Sequence, residues 1–137
     1  MIDFKVTNNL SEDEKMIRET VFIEEQKFKI EFDDTDDIAT HIVMYLDNHP
    51  VGCCRLYKQE NEYHIGRIAV LKPYRGKGYG EKILLNAERV AKEKGADSIS
   101  LSAQVRASGF YEKLGYKKHG EIYFDEYCEH IAMKKDI

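Results

Sequence analysis

Apolar and polar residues alternate with a period of two in several parts of the chain, which is the pattern of half-buried β-strands. The clearest case is Ser98–Ala103, where Ile99, Leu101 and Ala103 alternate with serines. Because successive side chains of a strand point to opposite faces, this segment presents one apolar and one polar face. Runs of β-forming residues between turn signals predict further strands at Phe4–Val6, His41–Leu46, Val51–Lys58, Tyr63–Val70, Tyr116–Tyr123 and Cys128–Lys134.

Apolar residues at helical spacing predict three helices. Ser11 and Glu14 form a capping box that starts the first helix, which runs to about Glu25. Gly95 ends the second helix as its C-terminal cap, and Gly115 ends the third. The second helix spans about Tyr79–Lys94, and the apolar side of the first is formed by Met16, Ile17, Val21 and Ile23. The third helix is short, with apolar positions at Ala107, Phe110, Tyr111 and Leu114.

The order of these elements is β, α, at least three β, and then β-loop-α-β-α-β-β. Such an order predicts the α+β class, with a mixed, mainly antiparallel sheet flanked by helices. A chain of 137 residues with two prolines and no linker-like stretch is expected to form one domain over residues 1–137.

Composition excludes several classes of protein. The net charge of -4 leaves no basic stripe for nucleic acid. No apolar run approaches the ~20 residues that span a bilayer, and the N-terminus is too polar for a signal peptide. Three cysteines are too few and odd in number for a disulfide framework, so a reducing cytoplasm is the expected location.

The most informative segment is Ile68–Gly80, where a strand ends and a glycine-rich loop opens a helix. Gly76, Gly78 and Gly80 leave backbone N–H groups uncovered, and the helix N-terminus adds unpaired donors and a favourable dipole. Arg75 and Lys77 add positive charge. The loop therefore predicts a site for a pyrophosphate.

Two other glycine-rich motifs do not fit this loop. A Walker loop needs four residues between its first glycine and a Gly-Lys-Ser/Thr sequence, but Leu71 stands five residues before Gly76 and Gly78 follows Lys77. A dinucleotide fingerprint needs Gly-x-Gly-x-x-Gly, whereas these glycines are spaced two and two. A tight turn without a ligand is the remaining alternative.

The loop sequence Arg-Gly-Lys-Gly-Tyr-Gly resembles the Arg/Gln-x-x-Gly-x-Gly/Ala signature of the GNAT (Gcn5-related N-acetyltransferase) superfamily. Phe110–Tyr116 resembles the second recurring stretch of that family. Arg18–Gln26, the acidic run Glu31–Asp36 and His130–Met133 resemble its ElaA/YjcF-like branch, which usually reads Ile-Pro-His where this chain has Cys-Glu-His. The resemblance implies that residues 1–137 form a single N-acetyltransferase domain.

The resemblance also implies how acetyl-coenzyme A is held as co-substrate. Two strands, Tyr63–Val70 and Ser98–Ala103, splay apart, and pantetheine enters the gap and bonds the backbone of Ile68 and Val70. A backbone N–H near Ile68–Val70 polarises the thioester carbonyl. The cofactor-binding residues implied are Ile68, Ala69, Val70, Arg75, Gly76, Lys77, Gly78, Tyr79 and Gly80.

Tyr111 matches the position at which many members of the superfamily place a general acid for the leaving thiolate. A tyrosine pKa near ~10 exceeds a thiol's ~8.5. Proton transfer must therefore be concerted with bond breaking, or the surroundings of Tyr111 must lower its pKa. The alternative is that Tyr111 is an apolar-face residue beside Phe110.

The sequence does not decide which residue is the general base. His64 opens the central strand, where some histone-modifying relatives carry a glutamate, and an imidazole suits proton abstraction at neutral pH. Glu25, His130 and a water chain are alternatives, and His64 is otherwise a surface residue.

Seven acidic residues and two lysines give Glu24–Asp37 a charge of -5. If this segment borders the acceptor site, it favours cationic acceptors such as polyamines or amino sugars, and otherwise it is a solvated loop. No metal site is expected: Ile38 occupies the next ligand position of a calcium loop, and Cys128 with His130 gives only two zinc ligands.

The sequence thus predicts an N-acetyltransferase for a primary amine of a small-molecule or peptide acceptor, acting as a monomer or homodimer without nucleic acid or membrane. A non-catalytic acyl-coenzyme A sensor or docking module of the same fold is the alternative. A nucleotide-dependent enzyme is a second alternative, but the sequence lacks the Walker pattern that such an enzyme would need.

Overall fold

The computed structural model describes residues 1–29 and 31–137. The strands are β1 Ile2–Thr7, β2 Thr40–Leu46, β3 His49–Gln59, β4 Glu62–Val70, β5 Ser98–Gln104, β6 Lys117–Asp125 and β7 Cys128–Asp136. The α-helices are α1 Glu12–Arg18, α2 Tyr79–Glu93 and α3 Ser108–Lys113. A π-helical segment covers Glu19–Glu25, and 3₁₀ turns cover Asp34–Asp37, Lys72–Tyr74 and Val105–Ala107. In the described ranges, no helix is long and apolar enough to cross a membrane.

The strands form one sheet of order β1-β2-β3-β4-β5-β7-β6. All neighbours are antiparallel except β4 and β5, which are parallel and joined by a crossover through α2. The predicted α+β class with a mixed, mainly antiparallel sheet is therefore confirmed. Every predicted strand is present, with ends displaced by one or two residues in most cases.

Helices cover the sheet on both faces because its central strands are apolar on both sides. Ile42 and Met44 of β2 pack with Ile83 and Leu84 of α2 in one buried cluster. The alternate positions Val43, Tyr45, Cys53 and Ala69 pack instead with Ile17, Val21 and Phe22 of the first helical segment. This alternation is the period of two that places neighbouring strand residues on opposite faces.

The predicted start of the first helix is confirmed, but only its first part is α-helical. Ser11 accepts a hydrogen bond from the Glu14 N–H at 3.2 Å, as an N-cap does. The α-helix ends at Arg18 and continues as π-helix, in which the Gln26 N–H donates to the Val21 carbonyl five residues back. The wider turn explains the imperfect apolar spacing, since Phe22 is buried and Met16 is 40% exposed.

Arg18 is the centre of a buried charge cluster beneath α1. Its guanidinium is fully buried and donates to Glu14 and Glu31 at 2.7 Å and to Asp36 at 2.8 Å. Burial alone would lower the pKa of Arg18, but the three carboxylates raise it above its usual value. Arg18 is therefore charged at every physiological pH.

Arg55 and His41 complete this charge cluster. Arg55 donates to Asp33 at 2.6 Å and to Asp36 at 3.0 Å. Burial opposes ionisation of Asp36, yet its bonds to the two arginines lower its pKa to about 2. His41 faces the Glu14 carboxylate at 2.9 Å and the Asp36 carbonyl at 2.9 Å. Burial lowers the pKa of His41, and these bonds more than offset it, so its pKa is raised.

Three of the seven acids in the segment predicted as a substrate-attracting or solvated loop belong to this charge cluster. Glu31 and Asp36 are buried, and Asp33 is bound by Arg55. Glu25 is exposed but paired with Arg75, and the exposed acids Glu24, Asp34 and Asp37 lie outside the charge cluster. The negative charge invoked to favour cationic acceptors is therefore largely neutralised within the protein.

Glu14, Asp36 and His41 place potential ligand atoms within 4.8 Å of one another. Arg18 lies 2.7 Å from Glu14 and 2.8 Å from Asp36, so a cation already occupies the centre of this group. Among the described residues, Arg18, Arg55 and Arg67 pair with Glu14, Glu31, Asp33 and Asp36, and the His41 ring contacts Glu14.

Replacing Arg18 by Met is expected to lower the free energy of unfolding by about 3–5 kcal/mol, because three carboxylates lose their cation in a buried site. Chemical denaturation measures this loss. The matched control is Arg89→Met, which removes the exposed pair of Arg89 with Glu93 and should cost less than about 1 kcal/mol. Equal losses for the two variants would contradict a structural role for the charge cluster.

Candidate active site

The parallel pairing of β4 with β5 is short. It joins only Tyr63 to Ile99, His64 to Ser100 and Ile65 to Leu101. Beyond Ile65 the two strands separate, as the splayed arrangement requires. A cavity of about 180 Å³, called here the gap cavity, lies between them and is lined by residues that include Gly66, Arg67, Ile68, Ser102, Gln104 and Tyr111.

The backbone of β4 presents alternate residues to this gap cavity. The Leu71 N–H donates to the Val51 carbonyl of β3 at 2.9 Å, so Leu71 and Ala69 direct their amides toward β3. Ile68 and Val70 therefore direct theirs toward the gap. Of the three strand residues predicted to hold the coenzyme, Ala69 is the exception, since its backbone faces the neighbouring strand and its side chain is buried in the core.

A β-bulge shapes β4 at the point where the gap opens. Cys53 pairs with Ala69 and Arg55 with Gly66, so Arg67 and Ile68 stand opposite the single residue Cys54. Arg67 has a left-handed backbone with φ of 53°, which is uncommon for a residue with a side chain. The bulge lies beside the gap cavity, which Gly66, Arg67 and Ile68 line.

Arg67 is a residue that the sequence did not single out. Its guanidinium donates to the Glu31 carbonyl at 3.1 Å and lies 2.9 Å from the Glu31 carboxylate. Burial raises the pKa of Glu31, although Arg67 and Arg18 act in the opposite direction. The side chain thus fastens the bulge to the charge cluster. No local motif marks it, because its partners lie more than thirty positions away.

The glycine-rich loop follows β4 and ends at the N-terminus of α2. Gly76 and Gly78 have φ of 77° and 81°, and a Cβ placed on either would have no atom within 4 Å. Gly78 is the N-cap of α2 and supplies no side chain to its first N–H groups. Uncovered donors, open space and the helix dipole together fit a pyrophosphate. Gly80 instead allows close packing, since its Cβ would lie 3.4 Å from Phe110.

Arg75, predicted as a coenzyme-binding residue that adds positive charge to the loop, is bonded to other groups of the protein. Its guanidinium donates to both oxygens of Glu25 at 2.6 and 2.9 Å, and its Nε donates to the Val70 carbonyl at 2.8 Å. Arg75 thus ties the loop to β4 and to the end of the π-helical segment. The bond from Arg75 lowers the pKa of Glu25, which weakens Glu25 as a candidate base.

Tyr111 of α3 lines the gap cavity, as the sequence predicted for the general acid. Its ring packs edge-to-face against Phe110 and Tyr116, with centroids 5.1 and 6.1 Å away. Burial raises the pKa of Tyr111, so the surroundings that would lower it are not found. Among the described residues none hydrogen-bonds its hydroxyl, which is therefore a free, protonated donor.

His64 does not share a cavity with Tyr111. Its ring stacks on Tyr57 at 5.2 Å and lines a second cavity of about 290 Å³, called here the outer cavity. The two cavities adjoin and share the wall formed by Ile65, Gly66, Arg67, Leu101, Ser102 and His130. Of the histidines considered as the base, His130 is the one that faces both.

The chain matches the family described as "Acetyltransferase (GNAT) domain" over residues 6–137. It is 37% identical to the uncharacterized N-acetyltransferase YjcF of Bacillus subtilis over 123 residues, which is 88% of each chain. Escherichia coli ElaA has the same fold, with a TM-score of 0.89, 23% identity and coverage of 99% of this chain and 100% of that one. A Bacillus anthracis acetyltransferase solved in complex with acetyl coenzyme A is 27% identical, with a TM-score of 0.64 over 73% of this chain and 63% of that one.

Replacing Gly78 by Val is expected to weaken acetyl-coenzyme A binding at least tenfold in calorimetry, because a branched side chain covers the N–H donors of the loop. Valine at positive φ also strains the backbone by about 1–2 kcal/mol. Gly95→Val is the matched control, since Gly95 has φ of 98° and equally open space but lies at the other end of α2. If both variants bind acetyl-coenzyme A like the parent, the loop is not the phosphate site.

Proposed function

Since the chain belongs to the GNAT family of acetyltransferases, we propose that it transfers an acetyl group from acetyl-coenzyme A to a primary amine of a small acceptor. The observation that carries this proposal is the gap between β4 and β5, where Ile68 and Tyr111 line one cavity. Acetyl-coenzyme A, as co-substrate, supplies the acetyl group as an activated thioester. The residues of the chain bind it, orient it and move protons.

The binding residues proposed for the coenzyme follow from the geometry of the loop and of β4. Backbone N–H groups of Gly76–Gly80 hold the pyrophosphate, with Lys77 adding charge from the exposed rim. Ile68 and Val70 offer backbone groups to the pantetheine arm, although Arg75 already donates to the Val70 carbonyl. Arg75 acts in this proposal by holding the loop in place and by supplying positive potential beside it.

The role proposed for Tyr111 is to protonate the leaving sulfur. Its raised pKa keeps the hydroxyl protonated and makes release of a free phenolate unfavourable. The proton must therefore move as the carbon–sulfur bond breaks, when sulfur gains the basicity of a thiolate. A protonated hydroxyl that lines the cavity and has no other described partner is suited to this concerted transfer.

The acceptor is proposed to enter through the outer cavity, which adjoins the gap cavity across a shared wall. A volume of about 290 Å³ lies at the small end of ligand sites and favours a small amine or the end of a peptide. The stacked pairs Tyr57–His64 and Tyr123–His130 contribute to its walls. The paired acids of the charge cluster give no reason for a polycationic acceptor.

We place this activity in the cytoplasm, where acetyl-coenzyme A is made and thiols stay reduced. All three cysteines are free, and Cys53 and Cys54 are buried side by side in β3. The burial of both raises the pKa of each thiol and keeps it unreactive.

A panel of primary amines, offered with acetyl-coenzyme A and followed by free-thiol release, tests the proposed reaction. At least one small amine should release coenzyme A well above the rate of hydrolysis, with the acetylated amine found by mass spectrometry. Tight coenzyme binding without acetylation of any amine, hydroxylamine or peptide in the panel would instead indicate an acyl-coenzyme A sensor.

Replacing Tyr111 by Phe is expected to lower kcat with an accepted amine roughly 10²-fold and to leave coenzyme affinity unchanged, because only the acidic hydroxyl is lost. Tyr116→Phe is the matched control. Tyr116 is buried beside Tyr111, but its hydroxyl donates to Glu88 at 2.8 Å, so its loss should reduce stability without reducing kcat. A Tyr111→Phe enzyme with kcat within about twofold of the parent would remove Tyr111 from the chemistry.

A further inference from the structure

His130 lies where the gap cavity and the outer cavity meet, and it lines both. It belongs to β7, opposite Gln104 of β5 on one side and Tyr123 of β6 on the other. Its side chain is 7% exposed. Of the three side chains considered as the base, it is the one that shares a cavity with Tyr111, since Glu25 and His64 line other cavities.

One hydrogen bond fixes which ring nitrogen of His130 carries the hydrogen. Nδ1 lies 3.0 Å from the backbone carbonyl oxygen of Cys128. A carbonyl oxygen can only accept, so the hydrogen of the neutral ring is on Nδ1. The lone pair that can take up a proton is then on Nε2.

Nε2 of His130 is available for this purpose. Within residues 1–29 and 31–137 this nitrogen has no hydrogen-bond partner. It is also not one of the fully buried side-chain atoms that lack a partner, so it is accessible from the cavities. The ring itself is held in place by stacking on Tyr123 at 6.0 Å and by an edge contact with Phe28 at 6.5 Å. A fixed ring with a free lone pair at the junction of two cavities has the properties of a general base.

We infer that His130 is the general base of the proposed reaction, a conclusion that rests on the amine as acceptor. Nε2 takes one proton from the ammonium group of the acceptor and passes it to solvent. The neutral nitrogen then forms the C–N bond with the acetyl carbon as the C–S bond breaks. The Tyr111 hydroxyl gives its proton to the leaving sulfur, and the second nitrogen proton returns to the Tyr111 oxygen.

His64 has a different role in this arrangement. Its ring lies on Tyr57 in the outer cavity, where it contributes to the wall for the acceptor. Changing His64 is therefore expected to raise KM for the amine and to leave proton removal intact. This difference allows the two histidines to be separated by experiment.

The variant His130→Asn tests the inference, because the asparagine amide can keep the bond to the Cys128 carbonyl while Nε2 is deleted. With an amine that is protonated at neutral pH, kcat should fall roughly 10²-fold, and the calorimetric Kd for acetyl-coenzyme A should stay within about twofold. Added imidazole should restore part of kcat. An amine of low pKa, which is already neutral and needs no base, should lose less than about tenfold.

The matched variant His64→Asn should show no imidazole rescue and no difference between the two kinds of amine. The inference is overturned if His130→Asn acetylates the parent's amine at the parent's rate, or if its loss is the same for both amines and imidazole does not restore it. Failure of the proposed function has a different signature, since the parent itself would then acetylate no amine.

A measurement without substrate tests the same inference in the parent protein. Two-bond ¹H–¹⁵N spectra of the free protein, assigned with the His130 variant or by specific labelling, distinguish the two imidazole tautomers. We expect His130 as the Nδ1–H form. The Nε2–H form as the main neutral tautomer would overturn the inference even if the variant failed to fold.

Discussion

The ion pairs of Arg18 are the interaction on which the active-site geometry depends. Arg18 of α1 holds both Glu31 and Asp36, and these ion pairs fasten the stretch from Glu31 to Asp36 to α1. Glu31 in turn binds Arg67, whose left-handed backbone forms the bulge in β4. Such a backbone costs about 1–2 kcal/mol in a residue with a side chain, and the bonds made by the guanidinium offset that cost.

The π-helical segment links this charge cluster to both ends of the gap. Its last residue, Glu25, binds Arg75 in the glycine-rich loop, and the next residue, Gln26, accepts a hydrogen bond from Gln104 at the end of β5. Phe22 of the same segment lines the gap cavity itself. One short stretch of chain thus contacts the phosphate loop, β5 and the wall of the gap, which explains why a widened helical turn is retained there.

Burial, more than neighbouring charge, sets the pKa of Tyr111 in the gap. No cation of the described part of the chain acts on Tyr111 to stabilise its phenolate, and burial raises its pKa. The arginines near the gap are already paired, Arg67 with Glu31 and Arg75 with Glu25. The site therefore has a neutral donor on one side and, in the inference above, the Nε2 lone pair of His130 as proton acceptor on the other. Neither Tyr111 nor His130 needs a permanent charge in the gap, where burying an unpaired charge would cost free energy.

The sequence by itself determined the strands, the position of the glycine-rich loop before α2 and the class of the fold. The alternation in Ser98–Ala103 and the glycines before Tyr79 are local patterns that one stretch of backbone must satisfy regardless of the rest of the molecule. Tyr111 was found through a family motif, and its place in the gap agrees with the role expected of it.

Only the tertiary structure decided what the charged residues do. The acids of Glu24–Asp37 looked like a free negative surface because their cations, Arg18, Arg55 and Arg67, come from other elements. Tertiary packing likewise assigned Arg75 to Glu25 and separated His64 from Tyr111. The energy of an ion pair depends on the distance between the two charges in space, and a local sequence pattern does not give the distance between residues far apart in the chain.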